Sequence, residues 1–299
     1  MFSKKDVKLG IAPIAWTNDD LTELGAENTF EQCVSEMALA GFEGSEIGNK
    51  YPKDVNVLKK ALDMRGIQIC NMWFSSYFTS HPKGYTAELF EKDTDFLRDM
   101  GARVIGISEQ GDSIQGKMKT PILTEKPIWD ENTWDKVING INSLVEIAER
   151  KGIQTAYHHH MGTGIQTMEE IDRFMKKISS KVELIFDTGH AVFSKINPLE
   201  IIEKYKNRIA HVHLKNIRKD IIDRVKNEKL SFLDAVKKGA FTVPGDEDGM
   251  IDFAPIFKAL SKANYQGWFV VEAEQDPAIA NPFEYALKAR KYIKEQTSL

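Results

Sequence analysis

At 299 residues, with 42% hydrophobic content, the chain can fill one large core; an alpha/beta barrel takes roughly 250 residues plus insertions. A net charge of -4 gives no support for a nucleic-acid partner, which would favour a basic stripe. The longest apolar runs, such as Ile209–Leu214 and Trp268–Val271, are strand-sized and far short of a membrane span. The N-terminus, MFSKKDVKLG, has no apolar stretch of signal-peptide type, so a cytoplasmic address with no membrane partner is expected. The two cysteines, Cys33 and Cys70, lack a paired motif and are expected as reduced, buried thiols.

In chain order, the first strand candidate, Leu9–Ala15, runs into Pro13-Ile14-Ala15-Trp16 and not into the Gly-rich phosphate turn of an open Rossmann-like sheet. A helical stripe of Phe30, Val34, Met37 and Gly41 follows, closing at Ala40-Gly41-Phe42 before the strand Gly44–Ile47. The same helix–Gly–strand step recurs at Arg65-Gly66-Ile67, Met100-Gly101-Ala102, Lys151-Gly152-Ile153 and Gln266-Gly267-Trp268. It introduces the strands Ile67–Trp73, Val104–Ser108, Ile153–His158 and Trp268–Val271. Val182–Phe186 and Ile209–Leu214 complete a set of mostly continuous apolar runs, as parallel strands covered on their outer face require. Further helical stripes run through Trp134, Val137, Ile138, Ile141, Leu144, Val145 and Ala148, and through Phe253, Ile256, Phe257 and Leu260. Eight strands alternating with helices predict a single (β/α)8 TIM barrel over residues 1–299. A long insertion at about 216–250 follows the seventh strand; its charged, helical part, Lys219–Lys238, reads as a lid or as a contact in a homo-oligomer.

In this architecture the chemistry sits at the C-terminal ends of the strands, where polar residues interrupt an apolar core. Reading each end gives Glu46, Glu109, His158-His159-His160, Asp187 with His190, His211 with His213, and Glu272 with Glu274. Asp187, His213 and Glu272 end three successive strands and His158 the one before. Two imidazoles and two carboxylates suit a divalent ion such as Mn²⁺, Co²⁺, Mg²⁺ or Zn²⁺. Taken alone, Asp187 would be read as capping the turn at Thr188-Gly189; beside His190, His213 and Glu272 it reads as a ligand. Strand alternation cannot turn three consecutive histidines inward, so His158 and His160 are expected in the site and His159 in the sheet–helix layer. His160, His190, Glu46 and Lys215 are the candidates for acid/base work, with no assignment of acid against base. Trp16 and Trp73 offer an aromatic floor for a sugar-like ring, and Glu109, His211 and Glu274 are further substrate-contact candidates.

The stretches Gly10–Asp19, Gly41–Gly48, Tyr157–Thr163, Asp187–His190, His211–Lys215 and Val271–Asp276 resemble the inosose dehydratases of myo-inositol catabolism, over nearly the whole chain. HHHMGT and GFEGSEIG are the specific part, while DTGH and HVHLK belong to the wider xylose-isomerase-like barrel superfamily. The resemblance implies dehydration of 2-keto-myo-inositol (scyllo-inosose), a polyhydroxy ketone, to a trihydroxycyclohexane-1,2-dione. It also implies Mn²⁺ or Co²⁺ dependence, and a glutathione requirement that these residues do not locate. In the wider superfamily the fifth strand usually ends in a ligand Glu; here His158 holds that place. The change removes one of the paired glutamates that sugar epimerases use, and so disfavours the rival reading of a metal-dependent ketose isomerase or epimerase. A nuclease of the endonuclease-IV type would need further ligands and a basic surface. A non-catalytic sugar-binding barrel would be expected to have broken its metal ring.

Overall fold

The computed structural model describes residues 2–299. Nine parallel segments form one sheet: β1 (Val7–Ile11), β2 (Gly44–Glu46), β3 (Gln68–Asn71), β4 (Trp73–Ser76), β5 (Val104–Glu109), β6 (Gln154–His158), β7 (Glu183–Asp187), β8 (Ile209–Leu214) and, after two short strands outside it, β11 (Gly267–Val271). Their order is β3-β2-β1-β11-β8-β7-β6-β5-β4. The end segments β3 and β4 are consecutive halves of one stretch, separated only by Met72; β3 pairs with β2 and β4 with β5. That stretch therefore closes the cylinder, and the eight expected barrel strands are all present. Most boundaries agree to within one or two residues and two differ by more: Pro13–Ala15 forms a 3-10 turn that ends β1 at Ile11, and the third strand continues past Trp73 to Ser76.

Two register shifts interrupt the pairing. Between β2 and β3, Ser45 pairs with Ile69 but Glu46 with Asn71. Between β7 and β8, Leu184 pairs with Ile209 but Ile185 with His211, which sets Asp187 opposite His213.

The helices α1 (Phe30–Leu39), α2 (Val55–Asp63), α3 (Lys83–Met100), α4 (Glu131–Arg150), α5 (Met168–Lys177), α6 (Thr188–Phe193) and α7 (Pro198–Tyr205) follow the strands in turn. The expected stripe on α4 is buried from Trp134 to Ala148, each large apolar side chain contributing roughly 1.5–3 kcal/mol. Gly101 and Gly152 end α3 and the turn after α4 at φ 82 and 70, a conformation that costs other residues steric strain.

The long segment after β8 holds β9 (Asn216–Ile217), α8 (Lys219–Glu228), α9 (Phe232–Lys237) and β10 (Phe241–Thr242), with β9 and β10 antiparallel. Arg218 ties it together, donating to the carbonyls of Gly239 and Phe241 and to Asp246 Oδ2. Residues α10 (Phe253–Lys262) and α11 (Pro282–Thr297) flank β11 and complete the outer layer. No helix of the described residues is long and apolar enough to cross a membrane.

Candidate metal centre and active-site cavity

At the C-terminal ends of β6, β7, β8 and β11, four side-chain atoms converge. His213 Nδ1 lies 3.1 Å from His158 Nε2, 2.6 Å from Glu272 Oε2 and 3.4 Å from Asp187 Oδ2, and the last is 3.6 Å from His158 Nε2. A tetrahedral ion with bonds of about 2.0–2.1 Å has ligand–ligand edges of about 3.3 Å, so these separations suit a common cation.

The partners behind the ligand atoms fix which nitrogen is bare. His158 Nδ1 donates to the His159 carbonyl at 2.8 Å, leaving Nε2 as an acceptor. His213 Nε2 donates to Glu46 Oε1 at 2.9 Å, leaving Nδ1 toward the cluster. Asp187 Oδ2 and Glu272 Oε2 are buried with no hydrogen-bond partner. With His213 neutral, four acceptors thus face one another, and that calls for positive charge, supplied by a proton on His213 Nδ1 or by a bound cation. Burial disfavours a charged His213, yet Glu272, Glu46 and Asp187 overcome it and push its pKa well above the ordinary imidazole value. Against the same burial, His213 and Lys215 hold Glu272 down at about 2. The donor set can therefore hold a divalent metal.

Asp187 does both things its sequence context allowed. Its Oδ1 accepts from the His190 amide at 2.7 Å and caps α6, while Oδ2 turns to the cluster. Glu46 supports from β2: its Oε1 takes Asn71 Nδ2 at 2.8 Å and the Nε2 atoms of His211 and His213 at 2.9 Å each. Burial raises its pKa, but His213 and His211 outweigh this and carry it well below the usual carboxylate value.

Lys215 is fully buried, with Nζ 2.8 Å from Glu272 Oε1, 2.8 Å from Glu274 Oε2 and 3.2 Å from His190 Nε2. Burial opposes its charge, but Glu272, Glu274 and Asp187 raise its pKa, so it stands as a permanent cation. Its stem passes over Gly189, where a side chain would meet Lys215 Cγ at 2.5 Å; this accounts for the glycine in DTGH. Burial pushes Glu274 up to about 7, with Lys215 pulling it down and Glu272 pushing it up. The rings of His160 and His190 lie 3.7 Å apart, and burial with neighbouring positive charge keeps both pKa values well below normal. Phe232 of α9 packs 5.3 Å from His160, and Phe241 of β10 5.5 Å from His190. The long segment after β8 therefore roofs the imidazole pair.

A cavity of about 100 Å³ opens beside the cluster, lined by His213, Glu272, His160, Glu274, Glu46 and Trp73 among others. His190, His158 and Lys215 stand behind that lining. Three expected substrate contacts are placed elsewhere. Trp16 is fully buried, its indole donating to Glu36, because the turn at Pro13–Ala15 carries it away from the cavity. Glu109 is enclosed by Ser76, Phe78, Thr79 and Gly111. His211 sits behind Glu46. Burial keeps His159 neutral, with its pKa lowered to about 3 and neither ring nitrogen partnered.

The cavity is also lined by residues that strand-end reading passed over: Asn71, Asp19, Asp20 and Gln115. Asn71 ends β3 and followed the same rule as Glu46, so it was within reach. Asp19 and Asp20 share one loop and Gln115 lies in another, joined to it only in space, with Gln115 Nε2 donating to Asp20 Oδ2 across 95 residues at 2.8 Å.

The chain matches the xylose isomerase-like TIM barrel family over residues 34–296. It is 60% identical over 300 residues to an inosose dehydratase of Geobacillus thermodenitrificans (strain NG80-2), covering 100% of both chains. It is 61% identical over 298 residues to an inosose dehydratase of Clostridium beijerinckii (strain ATCC 51743 / NCIMB 8052), covering 99% of both. Among solved structures, the IOLI protein with a binding zinc atom superposes with a TM-score of 0.73 at 15% identity, covering 98% of this chain and 100% of that one. At that identity the structural likeness speaks for the fold, while full-length identity near 60% speaks for the activity. The chain is an enzyme of the hydro-lyase kind and belongs to the inosose dehydratases, within the xylose isomerase-like TIM barrel family.

Proposed function

We propose that His158, Asp187, His213 and Glu272 hold one divalent cation, Mn²⁺ or Co²⁺ before Mg²⁺ or Zn²⁺. Beside it the chain eliminates water from 2-keto-myo-inositol to give a trihydroxycyclohexane-1,2-dione. The observation that carries this reading is the convergence of four buried acceptor atoms whose tautomers are set by His159 and Glu46. When bound, such an ion supplies Lewis acidity for the ketone oxygen, making the neighbouring C–H acidic.

The chain's own groups do the rest. Elimination beta to a ketone needs one group to take the α-proton and one to protonate the departing hydroxide. His160 and Glu274 both line the cavity, and both are of a type that can carry a proton. His160 Nδ1 donates to the Met161 carbonyl at 2.8 Å, which leaves Nε2 to accept the α-proton. Glu274 delivers the proton to the leaving oxygen. Lys215 and His190 keep their places behind, Lys215 holding Glu272 and Glu274 in position. Glu46 orients His213 from the cavity wall, and His211 holds Glu46 from behind. Phe232 and Phe241 keep bulk water from the imidazoles. The barrel from 1 to 299 acts as one catalytic unit, with the segment 216–250 as its roof.

The test is turnover of scyllo-inosose after chelation, and after separate return of Mn²⁺, Co²⁺, Mg²⁺ and Zn²⁺, each with and without glutathione. Activity should vanish with the metal and return with it. Full turnover in chelated protein overturns the metal assignment, and a glutathione-independent rate removes that requirement.

A further inference from the structure

Removing water from a polyhydroxy ketone does not by itself make a dione. It leaves a hydroxy-enone, whose double bond joins the carbon that lost the proton to the carbon that lost the hydroxyl. The dione forms when the enol O–H gives up its proton and the second carbon gains one. His160 and Glu274 account for the first two proton transfers only, which leaves the third to another group.

Five carboxyl groups line the cavity, and four of them are engaged by side chains. Glu46 holds Asn71, His211 and His213, Glu272 belongs to the metal cluster, Glu274 is paired to Lys215, and Asp20 accepts from Gln115 Nε2. Asp19 is the one that carries no side-chain donor among the described residues. Its turn is fixed all the same. Asn18, 2% exposed, accepts through Oδ1 from the amides of Asp20 at 2.9 Å and Leu21 at 2.7 Å, and its carbonyl takes Asn49 Nδ2 at 3.3 Å. The turn follows β1, and β1 faces β6 across the barrel. Strands β11, β8 and β7 lie between them on one side, and β2, the β3–β4 stretch and β5 on the other. Asp19 therefore stands on the wall opposite His160, which follows β6. One side of the residue meets solvent at the cavity mouth. Burial of the other pushes its pKa up to about 6, with Asp20 and Glu272 adding to the rise and the Asn49 amide and Lys53 opposing it.

We infer that Asp19 is a third proton-transfer residue, delivering the proton that turns the enol into the dione. The inference rests on the dehydration proposed above. The Asp19 O–H bond breaks, and the electron pair of the C=C bond takes its proton to form a C–H bond at the carbon that lost the hydroxyl. The enol O–H bond breaks in turn, giving its proton to the carboxylate left on Glu274 and its electron pair to the new C=O. Asp19 regains a proton from water at the mouth, and His160 releases the α-proton to water. No oxidant or reductant takes part.

The test is the stereochemistry of the new methylene. Metal-loaded protein converts scyllo-inosose in D₂O, the dione is trapped as it forms with o-phenylenediamine, and NMR reads the deuterium. The wild type should place one deuterium in a single configuration. Asp19→Asn should give both configurations, because the enol then gains its proton from solvent, whereas Asp20→Asn, one residue along the same turn, should keep the single one. Circular dichroism and metal content check that each variant is folded and loaded. A single configuration from Asp19→Asn, both configurations from the wild type, or both from Asp20→Asn overturns the inference. So does a folded, loaded Asp19→Asn that makes no dione, since the residue would then act before the last step. Dione formed by the wild type with mixed label sinks the role of Asp19 alone, while no dione from the wild type sinks the proposed reaction and this step with it.

Discussion

Glu109 and Glu272 share many outward features. Both are buried glutamates at or just past the C-terminal end of a barrel strand, β5 and β11, and both drew attention for that reason. Their surroundings differ. Glu109 accepts from Ser76 Oγ, the amides of Phe78, Thr79 and Gly111, and Thr79 Oγ1, so both its oxygens are bound by loop donors. Glu272 has an oxygen with no hydrogen bond and the bare ends of two imidazoles beside it. Burial and strand position are common to a structural carboxylate and a functional one. Satisfaction by local donors separates them.

The largest expected effect tests the unsatisfied half. Asp187→Ala or Glu272→Ala should remove the metal, measured as ions per chain by plasma emission spectroscopy, and bring turnover to background. A variant that keeps full metal content breaks the comparison. Next comes His160→Ala, which should retain the metal and lose about 10²- to 10⁴-fold in turnover, as removal of a proton-transfer group does. Full turnover would end its catalytic role. Glu46→Gln sharpens the contrast further, because it keeps the shape but weakens the hold on His213; metal affinity by competition with a chelator should fall about 10- to 100-fold. The smallest change belongs to the satisfied half. Glu109→Gln should leave metal content intact and lower stability by about 1–3 kcal/mol, since an amide nitrogen cannot accept the loop donors. Denaturant unfolding checks it, and a loss of metal there would show that Glu109 is misjudged.

Much of this was legible in the chain because parallel strands covered on both faces read as continuous apolar runs. A histidine or carboxylate at the end of such a run stands out, which is how His158, Asp187, His213 and Glu272 were found together. The tautomers and support were not legible. That Glu46 serves His213 from 167 residues away is a fact of the closed sheet, with no local signature. Trp16 misled because its place at the end of a strand ignored the proline turn before it, and Gln115 was missed because its partner, Asp20, is in another loop.

The slip in pairing between β7 and β8 has a use beyond irregularity. Side chains opposite one another in a sheet point to the same surface, and a one-residue offset turns them to opposite surfaces. Had the pairing that joins Leu184 to Ile209 run on evenly, Asp187 would sit level with Val212, a core residue of the outer layer. The bulge instead absorbs the extra residue in β8 and brings His213 level with Asp187, so that an acid and an imidazole from adjacent strands share the barrel's inner wall. Pairing is thus as much a determinant here as residue type: straightening the bulge with every residue of β8 retained would leave DTGH and HVHLK unaltered as words and separate them as neighbours.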